Sequence, residues 1–101
     1  MIESAKTRRA EYFRSVMIDL AGIDPMERSR RRDPVTARMI VANELYSEGC
    51  TEPQIGAMLG VRACTVHYYR DRMLNIGCPG WDAERELFEL FKRVIDSDAS
   101  V

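Results

Sequence analysis

Between Thr51 and Met73 the chain reads TEPQIGAMLGVRACTVHYYRDRM, and the spacing of a few residues there leaves it little choice of fold. Ile55, Leu59, Val61, Val66 and Tyr69 are the apolar positions, and two glycines, Gly56 and Gly60, fall between them. The spacing predicts a short helix, a tight turn and a second helix whose inner faces meet. Thr51 and Gln54 have the spacing of a capping box, in which hydroxyl and amide each satisfy a backbone N–H that the first turn leaves orphaned. Gly56 falls where two helices cross closely, and Gly60 where the chain must reverse in a left-handed conformation. These are the proportions of a helix-turn-helix.

The rest of the chain supplies helices to pack around it. Phe13, Val16, Met17 and Leu20 recur at helical spacing within residues 5–21, with Ser4 as the expected cap and Gly22 as the stop. Residues 22–33, GIDPMERSRRRD, lack periodicity and are expected to form an exposed basic loop. Residues 34–48 follow as a bracing helix, with Asp33 as its cap, Pro34 at its first position and Ala37, Ile40, Val41 and Leu45 inward. The helix-turn-helix is assigned to residues 51–75. GCPG then breaks the chain, and a closing helix over residues 82–96 is capped by Asp82, with Trp81 packing back as a staple. Its inward stripe is expected to be Leu87, Leu90, Phe91, Val94 and Ile95. No strand-like alternation and no repeat occurs, so the expected fold is all-α, a small bundle of five helices in one domain of 101 residues.

Charge distribution says more than net charge. The formal net charge is −1, yet Lys and Arg outnumber Asp and Glu by twelve to ten up to Gly80, whereas from Trp81 acids lead by six to three. Arg28, Arg30, Arg31, Arg32 and Arg38 lie in one short segment opposed only by Asp33. Beside a helix-turn-helix, such a cluster suits phosphate neutralisation, so the expected partner is double-stranded DNA. In the usual docking geometry the second helix enters the major groove. Val66, Tyr69 and Met73 would then be buried, leaving Arg62, Ala63, Cys64, His67, Tyr68 and Asp71 facing out. Arg62 suits guanine O6 and N7, His67 an acceptor edge, and Ala63 or Cys64 a thymine methyl. Arg70 and Arg72 suit phosphates, as do the backbone amides that open either helix.

Other classes fare worse. Cys50, Cys64 and Cys78 are scattered, and although Cys64 and His67 form a C-x-x-H pair, no second ligand pair lies near it, so neither a metal nor another cofactor is expected. No acid, base and nucleophile fall together, which argues against an enzyme. No apolar run of membrane-spanning length and no leader peptide is legible, so a cytoplasmic location without membrane attachment is expected. A homodimer or larger assembly on DNA is left open.

Several segments also resemble the C-terminal DNA-binding domain of the bacterial replication initiator DnaA, in the Trp-repressor-like helix-turn-helix group. AEYF at residues 10–13, RRRDPVTARMI at 30–40, EPQIGAMLG at 52–60, TVHYYRDRM at 65–73 and DAERELFELFKRVI at 82–95 carry the likeness. The resemblance implies that one of Arg30, Arg31 and Arg32 enters the minor groove and that Pro53 approaches a thymine methyl. It also implies that Cys64 and Thr65 stand where the family has its threonine pair. LGVRACTV differs from the family's G-G-R-D-H-[ST]-T-V, with Arg62 and Ala63 at its Asp and His, which implies a DNA site of its own. The alternatives are a helix-turn-helix module of a transposase, packaging protein or transcription regulator, and, in another class, a helical protein-interaction module that docks through its acidic last helix.

Overall fold

Every described element is helical, because apolar residues return every three or four positions and never alternate. The computed structural model describes residues 2–28 and 31–99, with side chains at 5–28 and 31–98. The helices are α1 (Ile2–Ala21), α2 (Arg32–Ser47), α3 (Glu52–Leu59), α4 (Ala63–Met73) and α5 (Asp82–Ala99). Helix α2 is the brace, packing on α1, α3 and α4, while α5 closes over α1 and α3 packs on α4. None of the described helices is long and apolar enough to cross a membrane.

One core runs through all five. Phe13 and Met17 of α1, Ile40, Val41 and Leu45 of α2, Ile55 of α3, Val66 of α4 and Phe91 of α5 are fully buried. Each such side chain contributes about 1.5–3 kcal/mol on leaving water. Phe13 meets Phe91 edge-on, with ring centroids 5.5 Å apart, which locks α1 to α5 at the centre of the core.

Four local details differ from the sequence expectation. Helix α1 is already formed at Ile2, so Ser4 lies within it rather than capping it. Helix α2 opens two residues early: Arg31 is its N-cap, without a side-chain cap bond, and Asp33 and Pro34 sit inside the first turn. A first-turn proline gives up an N–H that has no helical partner anyway, and the Asp33 carboxylate faces the positive helix end without having to cap it. Trp81 precedes α5, with Asp82 as the first helical residue. Leu90 is 36% exposed at the edge of the α5 stripe, and burial falls instead on Phe91 and Ile95.

Candidate nucleic-acid interface

The relation between α3 and α4 is set by a few short-range interactions. The Thr51 hydroxyl accepts from the Gln54 N–H at 3.3 Å, and the Gln54 side-chain oxygen accepts from the Thr51 N–H at 2.9 Å, which fixes the start of α3. The same oxygen accepts from Lys6 Nζ at 2.9 Å, tying α3 to α1. Gly60 ends α3 at φ 72° and ψ 30°, a left-handed conformation that costs glycine least. At Gly56 a Cβ would stand 2.6 Å from the Val61 carbonyl oxygen and 3.3 Å from the Ala63 nitrogen. Only a glycine lets the turn fold so tightly back on α3. The first residues of α4 are thereby pinned against a rigid support.

Helix α4 is two-sided. Val66, Tyr69 and Met73 are buried on its inner side. Arg62, Cys64, His67, Tyr68, Asp71 and Arg72 are exposed, whereas Ala63 and Thr65 are half-buried at its first turn. The Thr65 and Val66 N–H groups already bond the Arg62 carbonyl. Arg62 stands exposed at the N-cap, so its guanidinium is open to a ligand.

The basic loop brings one arginine of the cluster to this turn. The Arg28 guanidinium lies 3.3 Å from where a Cβ on Gly60 would be, directly over the turn between α3 and α4. Neither Arg28 nor Arg62 has a carboxylate within ion-pair distance among the described residues. Elsewhere several cations are matched, as in Arg9 with Glu48, Arg14 with Asp24 and Lys92 with Glu44. Two positive side chains thus stand beside the turn although the whole chain is slightly acidic.

The other arginines separate. Arg30 lies outside the described residues. Arg31 is exposed at the start of α2. Arg32 turns to α5, where its Nη2 donates to both oxygens of Glu84 at 2.8 and 2.9 Å. Arg38 is only 8% exposed, and its Nη1 donates to the Glu27 carbonyl at 2.6 Å. Its expected place on the basic surface is corrected: it faces inward with Val41 and Leu45 and anchors the loop that carries Arg28.

Arg70 is likewise engaged inside the molecule. Its Nη1 donates to Glu52 Oε2 at 2.7 Å, and its guanidinium carbon lies 3.4 Å from the centroid of the Tyr46 ring. The same Glu52 oxygen lies 3.1 Å from His67 Nδ1. The Arg70 hydrogen bond, aided by His67, holds the Glu52 carboxyl below the usual glutamate range against an opposing desolvation. One carboxylate at the start of α3 thus restrains two side chains of α4, next to Pro53, which is exposed. On the opposite flank Arg72 stacks on aromatics, its guanidinium 5.5 Å from the Tyr68 ring centroid and 4.8 Å from that of Trp81. Trp81 thereby ties the start of α5 to α4.

Comparison with protein-family models, with curated proteins and with solved structures finds no match.

Proposed function

We propose that this protein binds double-stranded DNA, using α3 and α4 as a helix-turn-helix with α4 in the major groove. The observation that carries the reading is the conjunction at the turn: Arg28 and Arg62 stand, among the described residues, without carboxylate partners at the head of a helix whose outer face is polar and exposed. A helix about 16 Å long by its 11 residues spans the bases a single groove crossing offers. Arg62 forks onto guanine O6 and N7, and Cys64, with Ala63 beside it, meets a thymine methyl. His67 and Tyr68 reach the next base steps, and Arg28 takes a phosphate across the turn. Arg31 serves the flanking minor groove or its phosphates.

The likeness of several segments to the replication initiator's DNA-binding domain supports the same use of the fold, and the difference at Arg62 and Ala63 favours a distinct target. Replication, transposition, packaging and transcription all employ such a module. The test is selection of bound duplexes from a random pool at physiological salt. An enriched motif with a guanine whose enrichment disappears in Arg62→Ala is the expected result; a pool that stays random while the protein remains folded refutes the reading.

A further inference from the structure

Beside the outer face of α4 a groove of about 440 Å³ opens where α2, α4 and the approach to α5 meet, lined by Tyr68, Arg72, Trp81, Met39 and Arg32 among others. Two aromatic rings and a cation form one wall: the Arg72 guanidinium lies over both Tyr68 and Trp81 and, among the described residues, has no carboxylate within ion-pair distance. Tyr68 keeps 52% of its surface open. The acid that lines the groove, Glu84, is 9% exposed and already neutralised by both contacts from Arg32. A flat π ligand carrying an adjacent negative charge matches these walls, because rings accept a stacked face and the guanidinium accepts the anion.

We propose that this groove holds an unpaired nucleobase with its phosphate, so that the protein grips a duplex where one strand comes free. A paired base offers proteins only its edges, whereas an unpaired base offers the whole ring face to an aromatic or guanidinium plane. The groove is also continuous with the surface assigned to DNA, since Tyr68 follows His67 on the exposed side of α4. The inference therefore rests on the DNA reading of α4.

Three fluorescent probes separate the two. One is a blunt duplex of mixed sequence, the second the same duplex with a short single-stranded thymidine tail, and the third carries a tail of equal length made of abasic units. Anisotropy at low salt is expected to give binding about tenfold tighter for the thymidine tail than for the other two, the scale of one stacked base. Trp81 is the sole tryptophan, so its emission should be quenched by that tail alone. Trp81→Leu, checked for folding by circular dichroism, should lose the gain for the thymidine tail and bind blunt duplex as before. If blunt duplex binds and the thymidine tail adds nothing, or the abasic tail adds as much, the groove assignment is wrong and the DNA reading stands. If none of the three binds, both are wrong.

Discussion

Replacing Gly56 by alanine tests the tight turn between α3 and α4 at its narrowest point. The added Cβ would lie 2.6 Å from the Val61 carbonyl oxygen, so that contact must lengthen by about 0.8 Å to reach an ordinary van der Waals distance of 3.4 Å. All three near neighbours, the Val61 oxygen, the Ala63 nitrogen and the Arg62 carbonyl carbon, are backbone and cannot rotate aside. Forced overpacking costs about 1–3 kcal/mol, at the upper end where backbone must shift. Helix propensity works the other way and returns at most about 1 kcal/mol for Gly to Ala. The net expectation is a loss of about 2 kcal/mol, or about 8–16 °C in Tm for a domain of this size. Thermal melts followed by far-UV circular dichroism measure it, with Gly77→Ala as the control, since a Cβ at Gly77 meets nothing within 4 Å. A Gly56→Ala protein that melts at or above the wild type, as propensity alone would have it, refutes the close-crossing account.

Three other perturbations probe the core and the interface. Phe91→Ala should cost about 3–5 kcal/mol by denaturant titration, since the ring is fully buried against Phe13. Arg62→Ala should weaken binding to the selected duplex by about 1–3 kcal/mol and relax preference at one base, read by competition with single-base variants. Glu52→Gln should release Arg70 and His67, so that duplex binding strengthens and its salt dependence steepens by about 0.9 on log–log axes for one added phosphate contact. The same variant has a pH signature. Because the folded-state value of Glu52 is depressed, its ion pair stabilises the fold above the ordinary glutamate value of about 4.3 and is lost as pH falls through the lower folded value. The stability gap between wild type and Glu52→Gln should therefore be present at neutral pH and close in acid; a gap that widens in acid would contradict the pairing.

Local regularities made much of the fold legible. Burial follows apolar spacing at Phe13 and Met17, at Ile40, Val41 and Leu45, and at Val66, Tyr69 and Met73, because a helix facing a core repeats every 3.6 residues. The Thr51 and Gln54 box and the Gly60 stop were equally readable, being set by residues three apart or by one dihedral angle. Asp33 misled because a capping residue followed by proline also fits inside a helix that starts earlier. The charged contacts were beyond reach: Arg70 and Glu52 are 18 residues apart and Arg32 and Glu84 are 52 apart, and surface charges carry no periodic signal of their partners. Arg38 did carry one, standing three and seven residues before the buried Val41 and Leu45, but the arginine run beside it pointed outward. Arg28 was counted in that run, and only its position over Gly60 in the folded chain separates it from its neighbours.

The central claim is that the turn between α3 and α4, with Arg28 and Arg62 beside it, meets a phosphate backbone. Its most direct measurement is the affinity of the intact chain for one duplex between about 50 and 200 mM salt, for wild type and Arg28→Ala. The account predicts affinity that falls steeply as salt rises, with a log–log slope shallower by about 0.9 in the variant. Affinity that ignores salt, or a slope unchanged by the loss of Arg28, would contradict it.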